Sequence, residues 1–142
     1  MCQRLGVEHE VIPRVATAFG GGMGGTGAVC GAVVGAVMAI GLRHGRAQPS
    51  ERDARAYGLT QELRRRFEAE MGHIGCRELT GMDLSTAEGV KRFYASDVPK
   101  RVCLPAVGGR RNRASTSWRW ILPVVLRGRS ASVTNTISFG CL

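Results

Sequence analysis

The sequence predicts an all-α protein: a small helical bundle around a central glycine-rich helix, followed by a C-terminal tail that we expect to be disordered. Apolar residues recur three and four positions apart in several segments of residues 1–107, and no segment alternates with period two for long enough to indicate a sheet. Serine and proline signals start the helical segments, and glycines end them. A chain of 142 residues fits one domain with a core of its own.

The first three helices follow from apolar spacing and from helix-start signals. Ile12–Phe19 is predicted as a short helix, because apolar residues recur at helical spacing and glycines follow it. Ala28–Leu42 is the predicted central helix, and it is apolar nearly all round, as is typical in the middle of a protein or of a bilayer. Residues 51–71 form a predicted amphipathic helix, with Ser50 in a capping pattern at its start. The apolar stripe of this helix consists of Leu59, Leu63, Phe67 and Met71.

Three shorter segments complete the predicted bundle. A helical turn around Cys76 is closed by Gly81, a residue that commonly ends helices. A capping box at Ser85 starts a helix that runs to about Tyr94. A last helix is predicted to begin near Cys103.

Residues 108–142 differ in composition from the rest of the chain. They contain six arginines and no Asp, Glu or Lys, and they show no sustained amphipathic period. We therefore predict a helical domain at residues 1–107 and a basic tail of low order at residues 108–142. Residues 1–108 carry 14 Lys and Arg against 11 Asp and Glu, so most of the net charge of +9 lies in the tail. This distribution lacks the basic groove of a nucleic-acid surface, and we predict no nucleic-acid partner.

The N-terminal segment and the cysteines indicate the compartment. The N-terminus alternates charged and apolar residues instead of showing the basic region, apolar stretch and cleavage site of a secretory signal. We therefore expect a cytoplasmic protein. Five cysteines in a reducing compartment indicate redox, metal-binding or buried thiols rather than a framework of structural disulfides. They lie far apart in the sequence, with no CxxC pair.

Residues 19–42 form an uncharged run of 24 residues with nine glycines, for which we compare three interpretations. A membrane span is disfavoured, because the 15 residues of Ala28–Leu42 extend only about 22 Å against a hydrocarbon core of roughly 30 Å. Nucleotide binding is also disfavoured. Gly22–Gly27 matches GxGxxG, but the motif works only within a βαβ unit, and no strand precedes or follows it.

The third interpretation is a reactive thiol at Cys30. Cys30 is the third residue of the predicted helix. Its sulfur would therefore lie near free backbone N–H groups and the positive end of the helix dipole, which favour a thiolate. Small neighbours leave room for Cys76 or Cys103, both near predicted helix starts, to approach it. The alternative for each cysteine is an ordinary buried small hydrophobe. We call the small residues before and after Cys30 the small-residue motif; they are Gly20, Gly21, Gly22, Gly31, Ala32 and Gly35.

Three segments of the chain resemble a known family. ATAFGGGMGGTGAVCGAVVGAVMAIGLRHGR, FEAEMGHIGCRELTGMDLST and RVCLPAV are similar, in order and in approximate spacing, to the bacterial and archaeal family named for its C-GCAxxG-C-C cysteine pattern. The resemblance covers residues 3–107, and Cys30, Cys76 and Cys103 correspond to three of the four signature cysteines. It implies a small helical, cytoplasmic protein with clustered cysteines and redox or metal chemistry.

The chain departs from the family pattern at both ends. The family's first cysteine lies in an additional N-terminal helix, about a dozen residues before the segment that RLGVEHE resembles, whereas Cys2 is three residues from Leu5. We therefore expect an N-terminally shortened chain that lacks one signature cysteine. The resemblance ends at Gly108, which leaves the tail unmatched.

Three functions follow from these patterns. We favour a thiol-based redox protein, in which Cys30 attacks, Cys76 or Cys103 resolves the intermediate as a disulfide, and the redox partner is unidentified. The second is a metal or iron–sulfur module that uses the same cysteines, with His73 or His44 as a further ligand. His73 lies three residues before Cys76, which would place both on the same helical face. The third is a module whose glycine face packs another helix, in a homodimer or at a membrane.

Overall fold

The structure, a computed structural model, describes residues 6–49 and 54–107. These residues form helices joined by loops, with one isolated β-bridge and no strand among them. The predicted all-α class is therefore confirmed. The predicted helix cap at Ser50 and the predicted tail at residues 108–142 lie outside the described residues, and the domain boundary at residue 107 stays a prediction.

The helices largely follow the predicted order. The predicted first helix is an α-helix that continues into a 3₁₀ turn at Thr17–Phe19, and a π-helical segment at Pro99–Cys103 precedes the last helix. The predicted turn around Cys76 is a short helix that ends at Gly81. In chain order the helical elements are α1 (Val11–Ala16), α2 (Gly20–Met23), α3 (Gly31–His44), α4 (Ala54–Met71), α5 (Cys76–Thr80), α6 (Ala87–Ala95) and α7 (Leu104–Ala106). α2 is a single irregular turn within a glycine loop, because Gly21 and Gly22 have positive φ.

The predicted start of the central helix is wrong by three residues. α3 begins at Gly31 rather than at Ala28, because Val29 pairs with Gly75 in an antiparallel bridge that keeps the preceding backbone out of the helix. Cys30 is therefore the N-cap residue of α3 and does not lie inside the helix. Its carbonyl accepts the first N–H groups of the helix, as an N-cap carbonyl does.

The predicted cap of α6 is displaced by one residue. Thr86 is the N-cap, and its hydroxyl accepts the N–H of Gly89 at 3.0 Å. Ser85 donates to the carboxylate of Asp83 instead, through both its N–H and its hydroxyl. The last helix starts at Leu104, next to Cys103 as predicted, and Cys103 ends the π-helical segment and acts as the N-cap of α7.

The core lies between α3 and α4, the pair of helices with the most extensive contacts. The predicted stripe of α4 faces this core, with Leu63 and Phe67 completely buried and Leu59 and Met71 half-buried. Across the described ranges, no helix combines the length and the apolar character that crossing a membrane requires. The buried residues that α3 contributes are Val33, Ala36, Ala39, Ile40 and His44.

Candidate functional site

Two of the predicted cysteines stand at helix starts that the β-bridge fixes side by side. The N–H of Cys30 donates to the carbonyl of Ile74 at 2.8 Å, and the N–H of Cys76 donates to the carbonyl of Ala28 at 2.7 Å. Each cysteine directly follows its bridge residue, Cys30 after Val29 and Cys76 after Gly75. The bridge therefore brings together two residues that lie far apart in the sequence.

The glycine loop of residues 20–27 packs closely behind Cys76. A Cβ atom built on Gly22 would lie 2.6 Å from the Cβ of Cys76, and the φ of Gly22 is +71°. Gly31 is equally constrained, because a Cβ there would lie 2.5 Å from the carbonyl oxygen of Phe19. These two members of the predicted small-residue motif therefore have a packing role, whereas Gly20 and Gly35 have no atom within 4 Å of an added Cβ.

The same loop uses its amides internally. The N–H groups of Gly24, Gly25, Gly27 and Ala28 donate to carbonyls between Ala18 and Gly22, at 2.7–3.2 Å. A phosphate-binding loop directs such N–H groups at its ligand. These four N–H groups are therefore engaged within the loop rather than directed at a phosphate.

Cys103 joins the site from the C-terminal side of the domain. Together with Cys76 it lines a cavity of about 240 Å³, which we call the thiol cavity. Cys30 packs instead against the core cluster of Val33, Phe67 and Ala106. The other residues that line the thiol cavity are Gly20, Gly21, Gly25, Leu84, Val90, Phe93 and Tyr94.

The three thiols are free, and Cys30 lies close enough to the other two to contribute to a raised pKa at each of them. Burial raises the pKa of Cys76, and the neighbouring Cys30, Cys103 and Glu78 raise it further. Burial also raises the pKa of Cys103, with a further contribution from Cys30. Cys76 and Cys103 therefore carry their protons at neutral pH. The structure brings all three predicted cysteines into one cluster, and their chemical roles stay predictions.

The metal-site hypothesis gains no support from this geometry. His73 lies in the loop before α5, so the prediction that it shares a helical face with Cys76 is wrong. Its Nδ1 accepts the N–H of Gly75 at 3.0 Å and lies 3.8 Å from a carboxylate oxygen of Glu78. His44 is at the far end of α3, about 20 Å from its start. Within residues 6–49 and 54–107, no three His, Cys, Asp or Glu side chains are placed to hold a metal ion.

A second, larger groove of about 820 Å³ lies along α3. Gly31, Ala32, Gly35, Ala36 and Met38 of α3 line it, together with residues 7–10, 12–13 and 106–107. The predicted glycine face is thus partly open, which leaves the helix-packing hypothesis as a prediction.

Sequence reasoning missed the walls of the thiol cavity. Leu84 and Val90 carry no chemical signal, and the adjacent Phe93 and Tyr94 match no motif. Their two rings meet edge to face, with centroids 5.3 Å apart. Only the tertiary structure places these side chains beside two cysteines.

The fold and the site together define a small helical protein with a cluster of free thiols at converging helix ends. The chain matches the family described as "Putative redox-active protein (C_GCAxxG_C_C)" over residues 1–112, and it belongs to that family. The predicted resemblance is therefore confirmed, and the family description suggests a redox-active protein. No curated protein and no solved structure matches the chain.

Proposed function

We propose that this protein performs thiol–disulfide exchange, with Cys30 as the attacking thiolate and Cys76 as the resolving thiol. The observation that carries the proposal is the bridge between Val29 and Gly75, which holds the two cysteines at neighbouring helix starts. The family description, a redox-active protein, agrees with this chemistry.

The two cysteines differ in ways that suit these roles. Cys30 is half-buried and is the N-cap residue of α3, a helix of 14 residues. Cys76 is only 7% exposed, so a protein partner cannot reach it directly. Its raised pKa, caused mainly by burial, keeps it protonated until an intermediate forms next to it. The first contact with a partner therefore falls to Cys30.

The exchange is balanced at each step. The Cys30 thiolate attacks one sulfur of a partner disulfide, that S–S bond breaks, and the departing partner sulfur takes up a proton. Cys76 then loses its proton and attacks the sulfur of Cys30, which forms a Cys30–Cys76 disulfide and releases the second partner sulfur as a thiol. The partner gains the two electrons and two protons that the cysteine pair loses, and the same steps run in reverse with a partner dithiol.

Alkylation kinetics and mixed-disulfide trapping test this proposal. The background is the full chain with Cys2→Ser and Cys141→Ser, reduced and then treated with iodoacetamide across a pH series. Mass spectrometry follows each cysteine. We expect Cys30 to react fastest at about pH 7, because the thiolate is the reactive form. With hydroxyethyl disulfide as the probe, the background chain should release both probe thiols, and Cys76→Ser should retain a stable mixed disulfide on Cys30.

The control for the trapping experiment is Cys103→Ser, which should release both probe thiols as the background does. Two results would overturn the proposal. One is a Cys30 that reacts no faster than free cysteine at about pH 7. The other is a Cys76→Ser chain that clears its mixed disulfide as fast as the background chain.

A further inference from the structure

The thiol cavity is lined by two of the three cysteines, of which the exchange with a protein partner uses only Cys76. Cys76 and Cys103 line it, and Cys30 does not. Its volume of about 240 Å³ is below the roughly 300–1,000 Å³ of sites for drug-sized ligands. The space therefore suits a molecule of about one substituted ring.

The walls of the cavity select an uncharged ligand. Among the described residues that line it, none carries a charge, so a carboxylate or phosphate would enter without a counter-ion and lose its hydration. Val90, Phe93 and Tyr94 offer apolar and aromatic surface, and the loop glycines offer bare backbone against which a flat ring can lie. Burial keeps the protons of Cys76 and Cys103 on their sulfurs, because it raises the pKa of both thiols.

We propose that the thiol cavity binds an uncharged two-electron acceptor of the quinone class, which oxidises Cys76 and Cys103 to a disulfide. This proposal rests on the thiol–disulfide exchange proposed above and names the electron acceptor for it. Two S–H bonds break and one S–S bond forms. The two electrons and two protons pass to the two carbonyl oxygens of the quinone, which leaves as the hydroquinone.

The acceptor site connects to Cys30 through Cys76. The Cys30 thiolate attacks the sulfur of Cys76 in the new disulfide, which forms a Cys30–Cys76 disulfide and releases Cys103 as a thiol after it takes up a proton. A partner dithiol then reduces the Cys30–Cys76 disulfide and leaves as a disulfide. In sum, one dithiol and one quinone become one disulfide and one hydroquinone.

Quinone-driven oxidation of the reduced full chain tests the proposal. The probe is tetramethylbenzoquinone, which has no free ring position for thiol addition. The comparator is the same quinone with one methyl replaced by a carboxymethyl group, which makes it an anion. The disulfide is mapped by mass spectrometry, and hydroquinone is followed by absorbance. We expect the uncharged probe to oxidise Cys76 and Cys103 at least about tenfold faster than the anionic comparator.

Matched variants locate the reaction in the cavity. Val90→Trp fills the space from a side chain that is 37% exposed, and Val15→Trp adds the same group at a residue of α1 that does not line the cavity. Val90→Trp should slow oxidation by the uncharged quinone at least about tenfold, and Val15→Trp should not. Tyr94→Ala, at a side chain 75% exposed, opens the wall and should reduce the preference for the uncharged probe.

The outcomes separate the two proposals. Equal rates with both quinones, or equal effects of Val90→Trp and Val15→Trp, would overturn the acceptor site. If hydroxyethyl disulfide still produces the Cys30–Cys76 disulfide in that case, the exchange function stands without it. If neither the quinone nor hydroxyethyl disulfide produces a disulfide at Cys76, both proposals fail.

Discussion

A methyl group added at Gly22 would clash directly with Cys76. An ideal Cβ there lies 2.6 Å from the Cβ of Cys76 and 2.8 Å from the backbone N and O of Ala28, against roughly 3.5–4.0 Å for carbon atoms in favourable contact. The hydrogen bond from the N–H of Cys76 to the carbonyl of Ala28 ties these two neighbours together. Gly22→Ala must therefore displace the start of α5, and Cys76 with it.

The expected loss of stability has two parts. Gly22 has a φ of +71°, in the left-handed region, which costs an alanine about 1–2 kcal/mol. Overpacking against Cys76 and Ala28 adds about 1–3 kcal/mol. Gly24 is the matched control, because its φ is +70° and an added Cβ would meet no atom within 4 Å. Gly24→Ala should therefore show the backbone cost alone.

Denaturant unfolding of both variants measures the difference. We expect the free energy of unfolding to fall by about 2–5 kcal/mol for Gly22→Ala and by about 1–2 kcal/mol for Gly24→Ala. The alkylation rate of Cys76 should change only in Gly22→Ala, because only this substitution touches the residue. Equal losses of stability together with unchanged alkylation of Cys76 in both variants would refute the reasoning.

Three further predictions concern the core, the buried thiols and the open face of α3. Phe67 is 1% exposed in the core cluster. Its replacement by alanine should lower the free energy of unfolding by about 3–5 kcal/mol, as measured in urea. Because its folded-state pKa is raised, mainly by burial, Cys76 stabilises the fold in its protonated form. The free energy of unfolding should therefore fall as pH rises above about 8.5, by at most about 1.4 kcal/mol per pH unit for this thiol, and Cys76→Ala should lessen that slope. Gly35→Leu should disrupt any assembly through the glycine face, measured by light scattering, while Cys30→Ser should leave it intact.

Local sequence signals were sufficient for the class of fold. The i+4 stripe that includes Leu63 and Phe67 predicted which side of α4 is buried, because a helix buries one stripe whatever its partner. Gly81 predicted the end of α5, since its φ of +65° favours a residue without a side chain.

Helix starts were less predictable, because a contact from a distant segment set one of them and a local competition set another. The pairing of Val29 with Gly75 delays α3, and nothing near residue 29 in the sequence indicates it. The start of α6 depended on a local competition: Asp83 binds Ser85, which leaves Thr86 to cap the helix.

The candidate site was also predictable only in part. The pattern of cysteines and glycines identified Cys30, Cys76 and Cys103, and it identified the family. The sequence could not say that Cys76 and Cys103 share a cavity or that Phe93 and Tyr94 wall it, because those contacts join elements separated by loops. The placement of His73 on one helical face with Cys76 was predicted wrongly, since His73 lies in a loop.

The central claim, that Cys30, Cys76 and Cys103 form one redox centre, is tested most directly by a disulfide map. The full chain with Cys2→Ser and Cys141→Ser is equilibrated with graded ratios of oxidised and reduced dithiothreitol, quenched with acid and alkylated. We expect one two-electron transition to an intramolecular disulfide in which Cys76 is a partner. A chain that forms disulfides only between molecules, or that keeps Cys76 as a free thiol at every ratio that oxidises Cys30, would contradict it.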